Sequence, residues 1–161
     1  MKKASPQLQI IESDFLPIDS KDINKFLTRI KIKDKPEIVF WGSDPWSIHV
    51  LKVLEDNFDV EAVVCAPDSP VANYFKGLVF TPDKLDENFL GVLSSPPPRW
   101  DLFVVASYGK IIPQFFLDIP KYGALNVHPS LLPKYRGPSP VPTTILNGDK
   151  ITGVTIIKMD E

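Results

Sequence analysis

Cysteine is almost missing from this chain: Cys65 is the single one among 161 residues. That excludes an intrachain disulfide and any metal site built from clustered cysteines, and it suits a reducing compartment. Lying in the apolar run Val63-Val64-Cys65-Ala66, it reads as a small buried hydrophobe rather than a catalytic thiol. No apolar stretch approaches the ~20 residues needed to cross a bilayer. An excess of charge is lacking too. With a formal net charge of -2, the overall balance gives no electrostatic footprint for nucleic acid, so any such contact has to be local. No His/Asp/Glu grouping has ligand spacing, so no metal is expected. Gly42 closes a strand-turn-helix unit without the G-x-G-x-x-G spacing, which argues against a dinucleotide site.

What remains fits one soluble, cytoplasmic domain. At 43% hydrophobic and 24% charged residues, the chain can bury an ordinary core and no second full domain. Residues 1–35 carry Glu12, Asp14, Asp19 and Asp22 and no long hydrophobic region, against either a secretory signal or an acid-poor transit peptide. They read as an amino-terminal extension. In it, Ile23, Phe26, Leu27 and Ile30 recur at helical spacing, consistent with a short amphipathic helix packed on the domain.

The domain proper is expected over residues 36–161. Glu37 to Trp41, Val60 to Ala66, Leu102 to Ala106 and Ala124 to His128 are continuous apolar runs, the pattern of strands covered on both faces. Between the first two, Trp46, Val50, Val53 and Leu54 form a helical stripe that Ser43 or Asp44 can cap, with Pro45 in its first turn. A doubly wound, mostly parallel α/β sheet follows. Pro67 to Ser95 reads as irregular, and Ser94-Ser95-Pro96-Pro97-Pro98 as a stiff connector. In such sheets ligands sit beyond the carboxyl ends of the strands.

One strand end carries chemistry. In Asn126-Val127-His128-Pro129, side chains alternate faces, so Asn126 and His128 point the same way while Val127 turns into a core. An imidazole can move a proton at neutral pH, and a carboxamide can hold an oxygen that becomes negative. The pair suits acyl transfer to an amine. An isolated Asn or His is more often structural, so the context has to decide.

Three ordered blocks supply it: SYGKIIP from Ser107, GALNVHPSLLPKYRGPSP from Gly123, and ILNGDKITGVTIIKMD from Ile145. Together they resemble the formyltransferase family that uses 10-formyltetrahydrofolate, most closely the branch acting on initiator methionyl-tRNA. The resemblance implies a Rossmann-like formyltransferase fold and direct formyl transfer, with Asn126 and protonated His128 stabilising the tetrahedral oxyanion. It implies folate contacts from Tyr108, Lys110, Ile111 and Ile112 after one strand and from Ser130, Leu131, Leu132 and Pro133 after the next. Lys76 and Arg136 would meet acceptor phosphates, with the glutamate tail of the folate as the alternative for Arg136. No metal and no membrane enter this picture, and a monomer is expected.

Departures from the family pattern are equally visible. Where the family commonly shows Gly-Arg-Gly-Lys-Lys, the chain has Asn73-Tyr74-Phe75-Lys76, leaving the two aromatics either to stack on unpaired bases or to pack the loop on the core. Val141-Pro142 replaces a usual Ile-Gln. The family's catalytic aspartate would fall three positions beyond Glu161, as would the rest of the sheet and a carboxy-terminal β domain. On that expectation the chain is an incomplete enzyme with little activity of its own. Glycinamide ribonucleotide, a sugar nucleotide, or folate binding without catalysis stay open as alternatives.

Overall fold

The strand runs expected from the sequence are present and, apart from the exposed stretch around Glu61, largely buried on both faces. The computed structural model describes residues 9–11, 36–94 and 100–159. Its strands are β1 (Gln9–Ile11), β2 (Glu37–Trp41), β3 (Asp59–Val64), β4 (Leu78–Phe80), β5 (Leu102–Val105), β6 (Ala124–His128) and β7 (Val154–Lys158). They form one sheet in the order β1-β7-β6-β5-β2-β3-β4. The five strands from β6 to β4 are mutually parallel, whereas β7 runs antiparallel to both β6 and β1.

Alternation along the strands separates two cores. Ile38, Phe40, Val63, Leu102, Val104, Leu125 and Val127 face one side, against helix α1 (Pro45–Asn57) and the short helix α2 (Pro70–Tyr74). Val39, Trp41, Ala62, Val64, Phe103, Val105 and Ala124 face the other, against α3 (Glu87–Leu93) and α4 (Gln114–Leu117). The second core is aromatic: Trp41 lies 5.2 Å from Tyr108 and 5.9 Å from Phe116, both edge-on, a geometry that ring quadrupoles favour.

Asp44 caps α1 by accepting from the Ser47 amide at 2.8 Å, with Pro45 in the first turn. Ser43 serves elsewhere: its amide donates to the Ser107 carbonyl, its hydroxyl donates to the Tyr108 carbonyl, and it accepts from the Ala66 amide at 3.0 Å. One side chain thereby ties the carboxyl ends of β2, β3 and β5 together.

Three features depart from the expectations. The stretch after Pro67 holds two short helices and β4, with Ser69 and Asp86 as their caps. Their lengths, below two helical turns, leave too little periodicity to read. The antiparallel β7 follows α5 (Pro140–Leu146). Within the expected extension, residues 9–11 join the sheet as an edge strand on β7. In keeping with its place near a helix start, Pro142 sits in the first turn of α5, where its missing N–H costs nothing. The expected helix at Ile23 to Ile30, the connector from Ser95 to Pro98, and Asp160 with Glu161 lie outside the described residues.

Candidate active site

Asn126 and His128 project from the carboxyl half of β6 onto the aromatic side of the sheet, while Val127 enters the opposite core. In the antiparallel pairing with β7, Asn126 stands opposite Ile157 and His128 opposite Thr155, so all four share a face. Asn126 is half-buried, and its carboxamide bonds to none of the described residues. Its amide N–H donors are thus unused among the described residues. His128 is 9% exposed, and its Nε2 lies 3.0 Å from the Tyr135 carbonyl oxygen.

That carbonyl belongs to a loop, residues 129–137, which folds back over the strand end. Ser130 is fully buried and donates its hydroxyl to the Lys134 carbonyl at 2.8 Å. Thr155, also fully buried, donates to the Ser130 carbonyl at 2.7 Å and accepts from the Leu132 amide at 3.2 Å. Leu131 seats against Gly153, where a Cβ would meet its Cδ2 at 2.5 Å. At the loop's far end Tyr135 has φ 54, and its hydroxyl donates to Asp149 at 2.6 Å while accepting from Asn147. Lys134 pairs with the same carboxylate at 2.7 Å. The Lys134 and Tyr135 hydrogen bonds hold the Asp149 carboxyl below the usual carboxylate range, and the Asp149 bond in turn raises Lys134.

The expected folate residues divide between surface and support. Ile111 is 92% exposed, Leu131 is half-buried and Pro133 exposed, so these three present apolar surface. Ile112, Leu132 and Ser130 are buried beneath them and shape the loops from inside. Lys110 reaches away to the carbonyls of Pro82 and Asp83 at 3.0 and 3.2 Å. Tyr108 is buried with its hydroxyl unpaired among the described residues, and burial, with the Cys65 thiol nearby, pushes its phenol up to about 12. Both loops follow adjacent parallel strands, so the apolar surface and Asn126 share one edge of the sheet.

The two expected acceptor cations are far apart. Arg136 is exposed on the β6 loop and bonds to none of the described residues. Lys76 precedes β4, donates to the Asn73 carbonyl at 3.2 Å, and stands four strand positions from β6; at ~4.8 Å per position that is about 19 Å. Phe75 is buried in the core, and Tyr74 donates to Glu55 at 2.9 Å with Lys52 over its ring. The aromatic pair is thus used for packing. Gly42 is packed too closely for a side chain, since a Cβ there would meet the Ala106 carbonyl oxygen at 2.7 Å, and its amide already donates to the Val64 carbonyl at 3.1 Å.

Tyr135, Asp149 and Thr155 are the residues that sequence reasoning passed over. Only Thr155 left a trace, as a hydroxyl inside the otherwise apolar run from Val154 to Ile157.

Comparison with known proteins decides the kinship. The sequence profile of the family described as formyl transferase matches residues 38–161. The chain belongs to the formyl transferase family. Among curated relatives, the methionyl-tRNA formyltransferase of Prochlorococcus marinus subsp. pastoris is 43% identical over 141 residues, 77% of this chain and 42% of that protein. The methionyl-tRNA formyltransferase of Thermus thermophilus is also 43% identical, over 77% of this chain and 45% of its own. The chain spans less than half the length of these relatives. A solved glycinamide ribonucleotide transformylase from Geobacillus kaustophilus, 25% identical, superposes with a TM-score of 0.61 over 80% of this chain and 76% of that one. A phosphoribosylglycinamide formyltransferase from Bacillus halodurans, 22% identical, shares the fold at TM-score 0.65 over 78% and 72% of the two chains. The mostly parallel Rossmann-like sheet is therefore the formyltransferase fold. Among the described residues no group of His, Cys, Asp and Glu could hold a metal ion, and no helix is long and apolar enough to cross a membrane.

Proposed function

We propose that this chain carries donor-binding residues and two catalytic residues, Asn126 and His128, of an enzyme that moves a formyl group from 10-formyltetrahydrofolate to the amino group of initiator methionyl-tRNA, in the cytoplasm and as a monomer. The observation that carries the reading is the Asn126–His128 pair. A free carboxamide and an oriented imidazole stand on one face of β6, beside exposed apolar loop residues. The bound folate supplies the electrophilic formyl carbon. Asn126 donates its amide N–H to the formyl oxygen as charge develops there, and protonated His128 gives a second donor. Ile111, Leu131 and Pro133 offer apolar contact to the donor's ring system, over a floor of Ile112, Leu132 and Ser130. The free guanidinium of Arg136 is placed for a phosphate or for the donor's carboxylate tail.

One observation favours a second reading, a small amine acceptor such as glycinamide ribonucleotide or a sugar nucleotide. Lys76 is remote and turned to its own loop, and Tyr74 and Phe75 are occupied. Local equipment for a tRNA end is thin. The deciding assay offers methionyl-tRNA and glycinamide ribonucleotide as acceptors to this chain and to a chimera that joins it to the carboxy-terminal remainder of the Thermus thermophilus relative. Asn126→Ala and His128→Ala should each lower kcat by on the order of 10² with little change in donor KM. Near-normal kcat in both variants removes the site assignment, and formylation of the small acceptor alone replaces the tRNA reading.

A further inference from the structure

The contact between His128 and its own loop has a chemical direction. A backbone carbonyl accepts and cannot donate, so the 3.0 Å approach of Nε2 to the Tyr135 oxygen is a hydrogen bond only when Nε2 carries the proton. The other ring nitrogen, Nδ1, bonds to none of the described residues. It is left as the nitrogen able to accept or release a proton.

The carbonyl's position is itself constrained. Tyr135 sits at φ 54, a backbone region that non-glycine residues seldom occupy unless their surroundings enforce it. Its hydroxyl is bound on both sides, donating to Asp149 at 2.6 Å and accepting from Asn147 at 3.1 Å. Lys134, the preceding residue, pairs with the same carboxylate at 2.7 Å. Asp149 thus anchors two successive loop residues, and the second of them presents its carbonyl to His128.

We infer that Tyr135 and Asp149 are positioning residues for His128: the Asp149-anchored Tyr135 carbonyl fixes the imidazole with Nε2 protonated and points Nδ1 at the reacting centre. The last clause rests on the proposed formyl transfer, whereas the tautomer and its anchorage do not.

The test is nitrogen-15 NMR of the histidine rings in this chain, which has only two, the exposed His49 serving as the internal reference. His128 should show a pyrrole-type Nε2, a pyridine-type Nδ1, and an Nε2 proton visible in slow exchange that His49 lacks. In Tyr135→Phe and Asp149→Ala, exchange of that proton should speed by on the order of tenfold and Nδ1-protonated tautomer should appear, with the tryptophan indole signals unmoved. A predominantly Nδ1-protonated His128 in the unaltered chain overturns the inference at once. Unchanged tautomer and exchange in folded variants overturn the anchoring role. Should Asp149→Ala fail to fold, Tyr135→Phe decides, since it keeps the Lys134–Asp149 pair. None of these readings needs turnover, so a failure here and a failure of the formyl-transfer assay are separate results.

Discussion

Two loops leave adjacent strands at the same edge of the sheet and are held in different proportions by polar and apolar contacts. The loop after β6 is bound by polar side chains: Ser130, Thr155, Tyr135 and Asp149 each hold a backbone or side-chain partner within it. The loop after β5 relies more on an apolar anchor, with Tyr108 and Ile112 sunk in the aromatic core and Ile111 left almost wholly in solvent, beside the hydrogen bonds from Ser43 and Lys110. Hydrogen bonds fix directions, whereas apolar burial fixes position without direction. On the proposed reading, catalytic geometry would belong with the β6 loop and adhesive surface with the β5 loop.

That contrast can be broken at its anchors. The largest effect is expected from Ile112→Ala, which opens a void under the β5 loop and should cost about 3 kcal/mol of stability in urea unfolding. A loss within the range of ordinary surface changes would mean that the loop is held by something other than its core contact. Thr155→Val comes next. It strands the Ser130 carbonyl and the Leu132 amide, and a loss of about 2 kcal/mol is expected, with amide exchange accelerated over residues 129–137 but not over 107–113.

Ile111→Ser sharpens the division from the other side. Because this side chain is 92% exposed, stability should change by no more than about 0.5 kcal/mol. Affinity for the folate donor should fall roughly tenfold if the residue covers it, since burying such a side chain is worth about 1.5–3 kcal/mol. An unaltered donor Kd would take Ile111 out of the donor surface.

The smallest effects come from pH, and they should act on the two loops at opposite ends of the scale. Asp149 titrates below its ordinary range because Lys134 and Tyr135 donate to it. Its contribution is present above the unfolded carboxylate pKa and fades as acid passes through the lower folded value. Tyr108 behaves in reverse: with its phenol raised to about 12 by burial, its contribution is complete below the ordinary tyrosine pKa of about 10 and fades as pH climbs from there. Amide exchange should loosen over residues 134–136 in acid and over 107–112 in alkali. Simultaneous loosening of both loops at either extreme would dissolve the distinction.

The same contrast marks how far the sequence could be read. Continuous apolar runs such as Ala124–His128 gave the parallel strands, and simple alternation put Asn126 and His128 on one face. Asp44 and Pro45 announced α1 by type and order. The helices after Pro67 were too short to show a period. The polar lock on the β6 loop was invisible for another reason: it joins Tyr135 to Asp149 and Ser130 to Thr155 across 14 and 25 residues, a pairing that exists only once the backbone has turned. Lys76 and Arg136, both cations in loops, looked alike as letters and ended on different parts of the sheet.

The edge pairing of β1 with β7 carries a consequence for how the chain is made. Ile10 lies opposite Thr155, so 145 more residues must be added before this strand, the first among the described residues, finds its neighbour. Closing so long a loop is entropically slow. The parallel strands from β2 to β6 can assemble during synthesis while this edge waits. The sheet is completed from its middle outward, and its first-made strand is among the last to dock.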